Sequence, residues 1–216
     1  LHALGDTRQS MRTALEAGTL IRVRRGIVQV PPGSTDAEAL EPASRYGPAA
    51  RAEHSRRARA ALLQLGPDSV VSHGSAALLL RLPTYRRPPD DVWITAPRHG
   101  RIVAGTHRRL GTVVDRDRVL VDGLACTTVA RTALDVARRR PPHESFVVLD
   151  AALARVGPRE LRATMARLDW IYDLRSLSTA LGLADPLSES ALESMSRGWM
   201  HEAGVPRPLL QQRIDT

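Results

Sequence analysis

Residues 6–30, DTRQSMRTALEAGTLIRVRRGIVQV, decide how the rest of the chain is read. Their first half has helical spacing. At about 100° per residue, Met11, Ala14 and Leu15 fall on one face, and Arg8, Gln9, Arg12, Thr13 and Glu16 on the other. Asp6 or Thr7 stands where an N-cap belongs, and Gly18 can adopt the left-handed conformation that ends a helix. Residues 19–23 and 27–30 are rich in β-branched side chains and read as two short strands joined around Arg24, Arg25 and Gly26. The stretch predicts an amphipathic helix that runs into a hairpin with a cationic tip.

That is the order of recognition helix and wing in a winged helix-turn-helix. Arg8, Gln9 and Arg12 carry the groups that bond guanine and adenine edges in a major groove, and Thr13 suits a phosphate or a thymine methyl. Arg22, Arg24 and Arg25 would lie against phosphates as the hairpin follows the backbone. The plainer alternatives are a solvated helix face, with Arg12 and Glu16 paired at i, i+4, and a surface hairpin whose arginines guard an edge strand. Only LHALG precedes Asp6. It reads as the tail of an earlier helix and its turn, so the motif is expected to be incomplete at its N-terminus.

At 216 residues the chain can bury a proper core in one large or two small domains. A net charge of +8 and a pI near 11.1 point to a polyanionic partner. All 31 basic residues are Arg, a bias that fits GC-rich coding better than selection at one site. The single Cys126 excludes an intramolecular disulfide and a cysteine-rich zinc site and suits a reducing cytoplasm. Without a long apolar run or signal peptide, the chain reads as a cytoplasmic protein with no membrane partner. Aromatic residues make up 3%, too few for the stacking platforms of single-strand binders.

The expected organisation is α+β. A partial winged helix-turn-helix occupies residues 1–30, a Pro-, Gly- and Ser-rich connector 31–48, a mixed α+β domain with late helices 49–184, and a further segment 185–216. Helices are expected over residues 49–65, 72–82, 128–138, 143–155, 158–168 and 188–203, the second capped by Ser72. Strands are expected over 91–95 and 102–107, at 113–114 and within 119–128, with an extended piece over 209–215. Arg51, Arg56, Arg57 and Arg59 form a basic stripe, either a second phosphate contact or a solvated face.

Catalytic chemistry is not legible. The seven His residues have neither helical i, i+4 spacing nor a Cys or carboxylate at ligand distance, and no metal site is expected. His73, beside Ser72 and Ser75, reads as a packing residue at a helix start, and His107 as a strand residue facing solvent. Phosphate-loop, dinucleotide and nucleophile-elbow signatures are absent, so no cofactor is expected. Asp90, Asp91, Asp115 and Asp117 read as turn formers. Glu189 and Glu193 are the carboxylates with a nuclease-like placement, on an opening helix, yet Ser190 and Glu193 also match a capping box, with Leu192, Met195 and Trp199 as the buried stripe.

The blocks ALEAGTLIRVRRGIVQV, VVSHGSAALLLRLP, VDGLACTTVARTALDVAR and VLDAALARVGPREL together resemble the actinobacterial proteins with an AbiEi-type antitoxin winged-helix domain. The resemblance implies a non-enzymatic regulator that binds operator double-stranded DNA, in a type IV toxin–antitoxin system whose partner is a nucleotidyltransferase toxin. Many such proteins continue into a PD-(D/E)XK domain similar to very-short-patch-repair endonucleases. LADPLSESALESMSRGWMHEAGVPRPLLQQRID is similar to its first helix and strand, with Glu193 at the position of the helical Glu. The remaining metal-holding carboxylates of that pattern have no counterpart in this sequence. The alternatives are therefore a protein-interaction module that neutralises such a toxin, and a remnant of the nuclease.

Overall fold

In the computed structural model the described residues are 8–24, 27–31, 47–97, 104–138, 140–168 and 174–212. Helix α1 (Arg8–Glu16) buries Met11, Ala14 and Leu15 partly and exposes Gln9, Arg12, Thr13 and Glu16, the two faces that the spacing predicts. Gly18 (φ 71°) turns the chain out of it, and the amide of Leu20 and the hydroxyl of Thr19 both donate to the carbonyl of Ala14. Strands β1 (Ile21–Arg24) and β2 (Ile27–Gln29) then pair antiparallel, with a register shift between Arg22 and Arg24. The expected cap at Asp6 or Thr7, the tip residues Arg25 and Gly26 and most of the connector lie outside the described residues.

The body is α+β, as the sequence implies. Helix α2 (Pro48–Leu65) starts with proline at its first turn, where the missing N–H costs nothing. Strand β3 (Val70–Val71) leads into α3 (His73–Leu79); β4 (Val92–Ala96) and β5 (Thr106–Leu110) follow. After a 3-10 turn at Asp115–Asp117 come β6 (Arg118–Val121) and β7 (Leu124–Thr127). These two are joined at Asp122 (φ 50°) and Gly123 (φ 71°), the two positive φ values that match a tight turn to strand twist. The sheet order is β5-β4-β3-β7-β6, with β4–β5 and β3–β7 parallel and the outer hairpin antiparallel.

Because side chains alternate along a strand, the sheet has two unlike faces. Val71, Val92, Ile94, Leu124 and Cys126 pack against Ala58 and Ala61 of α2. Trp93 and Thr95, with their register partners His107 and Arg109, and Thr127 occupy the other face. A second core joins α3 to α4 (Val129–Ala137), α5 (Pro142–Ala166) and α6 (Leu174–Leu183) through Leu134, Leu149, Leu161 and Leu181. The two helices expected over 143–155 and 158–168 are the arms of α5, broken at Gly157 (φ 75°) ahead of Pro158. Among the described residues no helix is long and apolar enough to cross a membrane.

Several elements depart from expectation. The strand expected at 102–107 is β5, shifted towards its C-terminal end, and residues 113–114 are irregular. Strand β3 and helix α6 had no sequence signal. Ser72 holds the N-cap position of α3, but its hydroxyl is bonded to Thr95 and His73 instead of to the helix N–H groups.

Helix α7 (Ala191–Glu202) brings the largest correction: Leu192 and Trp199 are 64% and 50% exposed, and the buried residues are Ser194, Arg197 and Gly198. The reason is close approach to α5. A Cβ on Gly198 would sit 2.3 Å from the Cα of His143. Arg197 enters the same interface and donates to Asp150 at 2.6 Å, with both side chains nearly fully buried. Asp150 also accepts the amide of Asp185 at 2.8 Å, so one carboxylate ties the α6–α7 connection and α7 to α5. Gly198→Ala is therefore expected to lower stability by about 1–3 kcal/mol or more, the cost of overpacking. Gly182→Ala, in α6 with open space around it, is expected to raise stability by roughly 0.4–1 kcal/mol. Urea titration of both variants checks the contrast, and equal effects would contradict this packing.

Candidate nucleic-acid interface

Helix α1 presents Gln9, Arg12 and Thr13 to solvent along one face. Arg12 Nε donates to Glu16 Oε1 at 3.0 Å, the i, i+4 pair of the plainer alternative, between side chains that are each about two-thirds exposed. Such a pair contributes little to stability, and it orients the guanidinium fork along the helix. Arg22 is exposed on β1. Arg8 and Arg24 belong to α1 and β1 by backbone; Arg25 lies outside the described residues. The helix is followed along the chain by the hairpin, in the order expected.

The basic stripe of α2 serves the fold instead. Arg57 Nη1 donates to the carbonyl of Asp90 at 2.8 Å, and Arg59 Nη2 to that of Asp122 at 2.6 Å. Arg56 is paired with Glu53. Arg57 thus staples α2 to the loop before β4 and Arg59 staples it to the β6–β7 turn, while Arg56 pairs within the helix. His54, on the same helix, is bonded through Nε2 to Ser75 Oγ at 2.8 Å in the interior, and burial, followed by Arg57, lowers its pKa to about 4.

The larger concave feature has no counterpart in the sequence reading. A cavity of about 450 Å³ lies between the polar face of the sheet, the loop before β4 and the start of α5, adjoining a second of about 300 Å³ towards the 3-10 turn. Both are lined by His73, Arg109, Asp135 and Arg138. Trp93 forms part of the floor. His107, exposed as expected, also stacks on it at 3.9 Å between ring centroids; His73 lies 5.1 Å away and Arg109 5.5 Å above the ring. Tyr85 and Arg86 stand on the rim, and Arg86 grips Glu144 through two bonds of 3.0 and 2.9 Å that hold this carboxyl below its usual range.

At the inner end, Asp117 accepts from Arg167 at 2.7 Å and from Arg131 at 3.4 Å, and Arg131 also donates to Asp135 at 3.0 Å. Asp117 does sit in a turn, as expected, but it is a buried ion-pair hub as well. His73 has φ 52°, a left-handed conformation that is uncommon outside glycine but that His, Asn and Asp adopt more often than other residues. Burial, then Arg109, lowers its pKa to about 3, so it is a neutral ring at physiological pH. The only available signal for this cleft was the local density of Arg around single aromatic residues.

Glu193 is held as a helix cap. Its amide donates to Ser190 Oγ at 3.1 Å, and its carboxylate accepts the amide of Glu189 at 2.9 Å. Among the described residues no three His, Cys, Asp or Glu side chains are grouped to hold a metal ion. Burial pushes the Cys126 thiol up to about 12, which leaves little thiolate at neutral pH.

Asp135 makes a test of the cleft's electrostatics. Burial raises its carboxyl to about 6, with Arg131 pulling the other way. The folded state thus holds this proton more tightly than the unfolded chain, so its ionisation costs stability as pH rises from about 4 to about 6. Comparing Asp135→Asn with wild type isolates the effect. The Tm of wild type relative to the variant is expected to fall across that interval and to level off above it; a difference flat in pH would contradict the assignment.

No family model matches the chain. Over 177 residues it is 31% identical to two uncharacterized proteins of Mycobacterium tuberculosis, MT2308 and Rv2248, in an alignment that takes in 78% of this chain. The alignment spans 63% of each relative's length, just under two thirds. Among solved structures, the crystal structure of the RV2827C protein from Mycobacterium tuberculosis matches with a TM-score of 0.54 at 15% identity, over 94% of this chain and 71% of that one. At that identity the likeness is one of fold alone.

Proposed function

We propose that this chain is a cytoplasmic, non-enzymatic regulator that binds double-stranded DNA in the manner of a type IV antitoxin. The observation that carries the reading is α1 followed directly by an antiparallel hairpin, with Gln9, Arg12 and Thr13 exposed on the helix and Arg22 on the hairpin. Arg8, Gln9 and Arg12 read base edges, Thr13 supports them, and Arg22, Arg24 and Arg25 hold phosphates. A net charge of +8 favours the encounter with a polyanion.

A second reading, a protein-interaction module that neutralises a nucleotidyltransferase toxin, draws on the two edge strands. Leu110 on β5 and Leu120 on β6, the outer strands of the sheet, are 56% and 74% exposed, and exposed apolar side chains at the margins of a sheet suit contact with another chain.

A binding titration against salt separates the two. Each phosphate contact contributes about −0.9 to the log–log slope on duplex DNA, so Arg22→Ala with Arg24→Ala is expected to flatten it by roughly two units on any sequence. Arg12→Ala is expected to cost about 1–3 kcal/mol on a duplex selected from a random library and to relax its sequence preference. An unchanged slope would remove the wing, and with it the DNA-binding reading.

A further inference from the structure

The cleft on the polar face of the sheet calls for a ligand of its own. Its two adjoining parts have the volume of small-molecule pockets, which run from about 300 to 1,000 Å³. Among the described residues that line them, seven arginines face three carboxylates. The carboxylates are engaged at the walls: Glu144 by Arg86, Asp117 by Arg167 and Arg131, Asp135 by Arg131. These pairs hold their arginines in place ahead of any ligand, while Arg109 and Arg87 reach the cavity from exposed positions. A preorganised guanidinium cluster is the arrangement that recognises phosphate oxygens.

The aromatic side of the cleft adds a second requirement. Trp93, braced by His107 and flanked by the neutral His73, lines the larger part together with Tyr85, so flat rings stand beside the cationic end. His73 keeps its place through a left-handed backbone, a strain of the kind found where a side chain is positioned for a task. We propose that this cleft binds a mononucleotide-like ligand, with its phosphate among Arg109, Arg131 and Arg138 and its base against Trp93 and Tyr85. The site goes beyond the DNA-binding reading and does not need it, since among the described residues α1 and the β1–β2 hairpin contribute none to the cleft.

Calorimetric titration of the whole chain with AMP, GMP, CMP and UMP, and with adenosine and inorganic phosphate, tests the proposal. At least one nucleotide is expected to bind about tenfold or more tightly than both adenosine and inorganic phosphate. Arg109→Ala is expected to weaken that nucleotide by about tenfold with the Tm of the unliganded chain unchanged. Arg87→Ala, on an exposed loop, provides a second variant with the same expectation. No binding of any of the four nucleotides at millimolar concentration would overturn the proposal, as would nucleotide affinity that both variants retain in full. Inorganic phosphate bound as tightly as the nucleotides would overturn the nucleotide assignment. A single-stranded oligonucleotide that binds through Arg109 where mononucleotides do not would make the cleft a polynucleotide surface instead. Duplex titrations with α1 variants fail or succeed separately from all of these.

Discussion

Asp117 is a buried carboxylate on which three parts of the fold converge. It accepts from Arg131 near the start of α4 and from Arg167 at the end of α5, while its own carbonyl accepts the amide of Thr128, the residue that caps α4. Burying such charges costs desolvation energy that their attraction only roughly repays, so the network is weak evidence for stability. Its consequence is geometric. Removing one partner would leave a buried charge without its counter-ion, at a cost of about 3–5 kcal/mol, and alternative placements of α4 and α5 against the sheet are penalised in the same way. The walls of the cleft are thereby held apart by the interactions that fix the helices.

The same logic runs through the other arginines. Besides the staples from α2, Arg155 donates to the carbonyls of Leu80 and Arg81 at the end of α3, and Arg118 to that of Val113. Arg197 lies under α7 with Asp150. A planar fork with several donors suits such work, because it can satisfy helix-end and loop carbonyls that secondary structure leaves open. The formal charge of +8 is therefore a poor map of the positive surface. Many of the described arginines are structural, and Arg109, Arg131 and Arg138 gather at the cleft.

The two faces of the sheet are covered differently. One face is apolar and is covered by α2; the other carries Trp93, Thr95, His107 and Arg109 and is left partly open between α4 and the loop before β4. A sheet face that is not sealed by an apolar helix must satisfy its polar groups locally. Here Ser72 does so, bonded to Thr95 at 2.9 Å and to His73 at 3.0 Å at the β3–α3 junction. The DNA-reading proposal depends on one helix and the hairpin that directly follows it, whereas the cleft depends on elements distributed over nearly a hundred residues of chain.

What the sequence determined on its own is what is encoded within a few residues. The two faces of α1, its stop at Gly18, the break of α5 at Gly157 and the cap of α7 at Ser190 and Glu193 follow from helical periodicity, φ preference and local hydrogen bonding. Strand β3 contributes two residues, too few for any periodicity, and its pairing comes from β4 and β7. Only tertiary structure decided that His73, Trp93 and His107 meet, since that contact depends on the parallel register of Trp93 with His107. It decided also that α7 turns Gly198 inward and leaves Leu192 in solvent, against its hydrophobic pattern. Pattern records what each helix would bury alone, but the approach of two backbones is limited by Cβ atoms, and Gly198 has none.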